Sequence, residues 1–176
     1  MNEAGYVAPR ALNISRQAIE AHAEKVRRQL GYQPGQDLVT LVNRLGGKIS
    51  IRNLWNHTPE DGSIIIRGAG EFEIVLSDAT SPRRDRFTIA HELGHYFLHF
   101  ASQLSEVGDG RPMVAQRFAT GRAETEAHWF AAQFLMPEVE FRSSWQEFGG
   151  HEGAVAMRFQ VSLQAASVRA QALNLQ

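Results

Sequence analysis

The sequence predicts an α+β fold, a small three-stranded sheet packed against a helical bundle that contains an HExxH helix. Two observations carry this expectation. Apolar residues recur at helical spacing in residues 15–47 and again in 82–173. Between them, from Lys48 to Ser77, the pattern changes to two-residue alternation and β-branched runs. Helices, then strands, then helices is the order of an α+β domain rather than of repeated βαβ units. The composition agrees: 176 residues, 43% hydrophobic and 21% charged, suit one globular domain. Within it, residues 1–14 read as a loose N-terminal segment, 15–137 as the core that carries the chemistry, and 138–176 as a C-terminal helical extension of the same domain.

Each element has a local reason. In SRQAIEAHAEKVRRQL, Ile19, Ala23, Val26 and Leu30 share one helical face, and Gly31 follows as a stop. QDLVTLVNRLGG repeats the pattern over a shorter span, with Leu38, Leu41, Val42 and Leu45 apolar and Gly46-Gly47 at its end. KISIRNLW, DGSIIIRG and EFEIVLSD predict strands near 48–54, 63–67 and 72–77, the last two joined by a turn at Gly68 and Gly70. Ser81 as cap and Pro82 at the first helical position start a helix that runs through Phe100. Residues 101–119, rich in glycine and polar groups, predict a loop. A helix over 122–135 stops at Pro137, and shorter helices are expected over 138–147, 152–159 and 162–173.

Several function classes are excluded at once. The chain has no cysteine, so it has no disulfide scaffold, thiolate zinc site or cysteine nucleophile. A net charge of −1 gives no general attraction to nucleic acid or membrane. VSLQAASVRAQAL has a helix-turn-helix flavour, yet residues 151–176 carry only Arg158 and Arg169 against Glu152, too few cations for phosphate contacts. The N-terminus lacks the pattern of a signal peptide, and no apolar run is long enough for a membrane span. The expectation is a cytoplasmic protein without direct nucleic-acid or membrane partners. In that setting the sequon Asn56-His57-Thr58 carries no meaning.

The chemistry concentrates in FTIAHELGHYFLHF, residues 87–100. On a helix, His91 and His95 are four residues apart, about 40° in azimuth and 6 Å in rise, so both imidazoles can reach one tetrahedral ion. Glu92 sits beside the pair, placed to take a proton from a water activated by that ion. Phe87, Ala90, Gly94 and Phe97 form a stripe expected to be buried, and Gly94 suits close approach of another backbone. His99 lies about 12 Å along the axis from His91 in regular α-helix, too far for both to share one ion, so it is expected outside the ligand set. Tyr96 reads as an interface aromatic. A catalytic zinc site wants a third protein ligand, and RAETEAHWFAAQFL is the best source. Glu124 and Glu126 fall on the two edges of its apolar stripe, and periodicity leaves both open; His128 is a weaker candidate. Arg83, Arg84 and Arg86 form a basic cluster ahead of the HExxH helix, unfavourable for the helix dipole unless they find acidic company.

RFTIAHELGHYFLH, followed some thirty residues later by ETEAHWFAAQFLMP, resembles the ImmA/IrrE family of metallopeptidases. EIVLSDATSPRRDRFTIA and the tail FQVSLQAASVRAQAL fit the same family, and the resemblance covers roughly residues 20–174. It implies a gluzincin-like endopeptidase using Zn²⁺, with Mn²⁺ as an alternative. His91 and His95 are then ligands, Glu92 the catalytic base, and the glutamate before alanine, Glu126, the third ligand. The chain departs from the family at His128, where asparagine is usual. Members commonly cleave, or promote cleavage of, a helix-turn-helix repressor, and some belong to toxin–antitoxin-like pairs. The resemblance therefore implies a repressor or antitoxin-like protein as partner. The competing expectation is a metal-binding regulator that inactivates such a partner without turnover; a fourth protein ligand, His99 or His128, would mark it.

Overall fold

The computed structural model describes residues 5–53, 62–116 and 119–175. The sequon at 56–58, Leu54 at the end of the first expected strand and residues 1–4 of the N-terminal segment lie outside the described residues. Helix α1 (Arg16–Gln29) is capped by the Ser15 hydroxyl, which accepts from Ala18 N, and buries Ile19, Ala23 and Val26. Helix α2 (Leu38–Arg44) is capped by the Asp37 carboxylate. Strands β1 (Gly47–Arg52), β2 (Gly62–Gly68) and β3 (Glu71–Ser77) follow.

The sheet has four strands, not the expected three, in the order β1-β3-β2-β4. β1 runs parallel to β3, whereas β2 is antiparallel to both β3 and β4. The extra strand, β4 (Met113–Gln116), and a short helix, α4 (Ser102–Val107), occupy the stretch expected to be a loop. β4 gains its ladder from β2 on one side. On the other, Val7 pairs with it: Val7 N donates to Pro112 O at 2.8 Å, and Val114 N donates to Val7 O at 3.0 Å.

Helix α3 (Pro82–Gly94) begins at Ser81 with proline at its start, although the Ser81 side chain makes no cap bond. After Gly94 the helix widens into a π-helical segment (His95–Ala101) before α4. Wide turns of this kind recur at functional sites. Helices α5 (Arg122–Leu135), α6 (Glu138–Glu147), α7 (Glu152–Phe159) and α8 (Leu163–Ala172) complete the chain. The core lies between the sheet and the helices. Ile64, Ile66, Phe72 and Ile74 face Leu93, Leu98, Phe130 and Phe134 in one continuous cluster. Tyr32 stacks on Phe134 with ring centroids 4.7 Å apart, which ties the α1–α2 connection to α5.

Candidate metal centre

The site depends on how closely α5 approaches α3. A Cβ added at Gly94 would lie 3.1 Å from both Cα and O of Ala127. Two small residues therefore let the helices touch backbone to backbone, as the sequence suggested for Gly94. Glu124, one turn before Ala127 on the same face of α5, then meets the histidines of α3. Its Oε2 lies 3.0 Å from His91 Nε2 and its Oε1 lies 3.3 Å from His95 Nε2. The two Nε2 atoms are themselves 3.2 Å apart.

These separations suit a cation. Ligands about 2.0–2.1 Å from a tetrahedral ion stand roughly 3.3 Å from one another. The donor set, two imidazoles and a carboxylate with ligand atoms all within 4.8 Å of one another, is one that zinc favours. His91 Nδ1 and Glu92 Oε2 are buried and without a hydrogen-bond partner among the described residues. Glu92 is 2% exposed, on the helix between the two histidines. Burial raises the Glu124 carboxyl, but the facing imidazoles of His91 and His95 outweigh it and hold the group well below the usual carboxylate range.

The expected third ligand, Glu126, is not brought to this cluster. Its side chain lies on the other edge of α5, fully buried, and all its lone pairs are engaged. Oε2 accepts from Leu12 N at 2.8 Å and stands 3.2 Å from His99 Nε2. Oε1 accepts from Asn13 N at 2.8 Å and from Arg122 Nε at 3.1 Å. Burial raises this carboxyl too, and the amides of Leu12 and Asn13, His99 and Arg122 together pull it below its ordinary value. Sequence reasoning missed the role of the N-terminal segment entirely. Nothing in ALNIS announces two amides aimed at a carboxylate, except that Asn13 tolerates the left-handed conformation it adopts (φ 57°).

His99 lies outside the cluster but in contact with it, its Nδ1 3.0 Å from His95 Nδ1. Burial, then the neighbouring His95, lowers its pKa to about 4, so it is neutral near pH 7. His128 sits edge-on to His91, with ring centroids 4.5 Å apart and its Nδ1 2.9 Å from Glu124 O. Tyr96 accepts from Gly70 N and packs on Phe72, an interface residue as expected. Of the basic cluster, Arg86 donates to Gln36 O and to the Tyr32 hydroxyl. Arg84 instead lines a cleft of about 590 Å³ beside the centre, together with Phe87, His128, Trp129 and Val168.

A family model described as the IrrE N-terminal-like domain of peptidase family M78 matches residues 58–171. No curated protein matches the chain. Among solved structures, one titled "Mycobacterium tuberculosis transcriptional regulator" superposes with a TM-score of 0.58 at 19% identity. The match covers 87% of this chain and 46% of that one, so the present chain spans less than half the length of that neighbour. At this identity the likeness concerns the fold alone.

Proposed function

The chain belongs to peptidase family M78, by its IrrE N-terminal-like domain, and on that premise we propose that it is a zinc-dependent endopeptidase whose metal ligands are His91, His95 and Glu124. The observation that carries the reading is the convergence of these three side chains beside Glu92, whose buried Oε2 has no hydrogen-bond partner among the described residues. A divalent ion held by these residues, Zn²⁺ or alternatively Mn²⁺, would supply Lewis acidity toward water and the scissile carbonyl. The protein supplies the rest. Glu92 takes the proton from the attacking water and returns it to the leaving amine. The packed α3–α5 contact fixes the ligands before substrate arrives, so little reorganisation is left for the reaction. The cleft beside His128, with Phe87, Trp129 and Val168 as apolar wall, offers room for substrate side chains next to the centre.

The substrate in this proposal is a helix-turn-helix repressor or antitoxin-like protein, the partner that the ImmA/IrrE resemblance implies, met in the cytoplasm. The alternative of a regulator without turnover called for a fourth protein ligand. Among the described residues the ligand atoms that lie within 4.8 Å of one another are those of His91, His95 and Glu124, without a fourth from His99 or His128, and His99 turns its two nitrogens to His95 and Glu126 instead.

The test is to incubate the full chain with the product of the neighbouring gene and Zn²⁺ or Mn²⁺, and to look for a defined cut. Glu92→Gln should keep the metal and lose cleavage by at least about 100-fold, the lower range for a general acid–base group. Cleavage at the wild-type rate by that variant would sink the mechanism.

A further inference from the structure

We infer that Glu126 and His99 are positioning residues, a hydrogen-bonded relay that fixes the ring of His95 from behind and is itself anchored by the N-terminal segment. This rests on reading His91, His95 and Glu124 as the metal ligands.

The relay follows from which atoms face which. His95 turns Nε2 toward His91 and Glu124, so Nε2 must be unprotonated to serve as a ligand. Its proton is then on Nδ1, and Nδ1 faces His99 Nδ1 at 3.0 Å. Two ring nitrogens that close need one donor and one acceptor, so His99 Nδ1 is bare and His99 carries its proton on Nε2. That Nε2–H points at Glu126 Oε2, 3.2 Å away. One protonation pattern therefore satisfies all three groups in series, from a neutral His95 through a neutral His99 to an ionised carboxylate. Metal-bound histidines regularly pass their second ring N–H to a carboxylate or carbonyl, which sets the tautomer and orients the ring. Here a second histidine is interposed, because the carboxylate lies one ring further away.

The far end of the relay is held firmly. Glu126 is fully buried, and its remaining bonds come from the amides of Leu12 and Asn13 and from Arg122, which also donates to Ile14 O. The segment ahead of α1 thus reaches the ligand His95 through two intervening residues, Glu126 and His99. His95 and His99 both lie in the π-helical segment, with the two Nδ1 atoms 3.0 Å apart.

The experiment measures Zn²⁺ affinity of the full chain by competition with a chromophoric chelator, for wild type, His99→Leu and His99→Gln. It also records imidazole ¹H–¹⁵N correlation spectra of the zinc-loaded wild type. His99→Leu should weaken Zn²⁺ binding by about 10- to 100-fold, the usual effect of removing a partner of a ligand. His99→Gln should recover part of the loss, because an amide can accept from His95 and donate to Glu126 at once. The spectra should show His95 protonated at Nδ1 and His99 at Nε2. His95 protonated at Nε2 in the loaded wild type, or wild-type affinity in His99→Leu, overturns the relay. Should His99→Leu fail to fold, the wild-type spectrum alone decides. Wild type that binds no Zn²⁺ would overturn the metal reading and the relay together, whereas tight binding by both wild type and His99→Leu overturns only the relay.

Discussion

Glu124 and Glu126 are two residues apart and chemically identical, yet they do different work. Glu124 falls three residues before Ala127, on the face that touches Gly94, and so meets His91 and His95. Glu126 is one residue from Ala127, rotated about 100° away, and meets the N-terminal amides. The pair His91 and His95 was legible from spacing alone. The choice of carboxylate was not, because it depends on which side of α5 is pressed against α3, and both edges of the apolar stripe look alike in sequence. Another carboxylate, the buried Glu73, sits in the middle of the sheet with Ser50 Oγ at 2.8 Å and with Lys48, Arg52 and Arg67 within 3.6 Å. Burial raises its pKa, but the Ser50 hydroxyl and then Lys48, Arg52 and Arg67 outweigh it, so the folded value lies below the ordinary 4.5. The stabilisation is therefore fully present above the unfolded-state value and is lost as pH falls through the lowered folded one. Thermal unfolding of wild type and Glu73→Gln should show a gap at pH 7 that closes as the pH is taken down through the carboxylate range. A gap that stays constant with pH would refute this account.

At the level of elements, α3 and α5 form the working pair, and their spacing is set by Gly94 against Ala127. A methyl group at position 94 would need the facing backbone of α5 to give way by a few tenths of an ångström. Gly94→Ala gains about 1 kcal/mol of helix propensity. Even so, it should separate Glu124 from the histidines and weaken Zn²⁺ binding by about 10-fold, the lower range for disturbing a ligand's support. Isothermal titration of the metal-free chain measures this, and unchanged affinity would show that the contact does not position the ligands. Other elements were less visible. The four residues of β4 lie among glycines and polar residues, and what makes them a strand is pairing with β2 and Val7. Such pairing is non-local and leaves no periodic signature in so short a run. By contrast α6, α7 and α8 were readable nearly to the residue, because Pro137, Gly149-Gly150 and the Ser162 cap punctuate them.

Across the whole molecule, the C-terminal helix is fastened to the start of the chain by one buried cation. Arg169, 1% exposed, donates to Met136 O at 3.1 Å, to Glu20 on α1 at 2.8 Å and to the Gln133 side chain on α5. Burial lowers its pKa, opposed by the hydrogen bond it donates to Glu20. The sequence counted Arg169 as one of only two arginines in residues 151–176, too few for phosphate contacts, and its place inside the protein removes even that one from the surface. Arg169→Met should cost about 2–3 kcal/mol, somewhat below the loss typical of a fully buried pair because Glu20 is partly hydrated and keeps Arg16. The exposed Arg158→Met should change stability by less than about 0.5 kcal/mol. Urea unfolding of the two variants distinguishes them, and equal midpoints would show that the clamp contributes nothing.

The π-helical segment after Gly94 also bears on how such a chain tolerates insertion and deletion. Bonds from i to i+5 enclose one more residue per turn than those from i to i+4, so the segment accommodates an extra residue without disturbing the regular helix on either side. Losing one residue between His95 and His99 would let the helix revert to ordinary winding. Metal ligands upstream of the deletion and the regular helix downstream of it would keep their places, so only the turns between them would be rewound. Length variation at this point, unlike length variation within α3, is thus a change that leaves the HExxH pair intact.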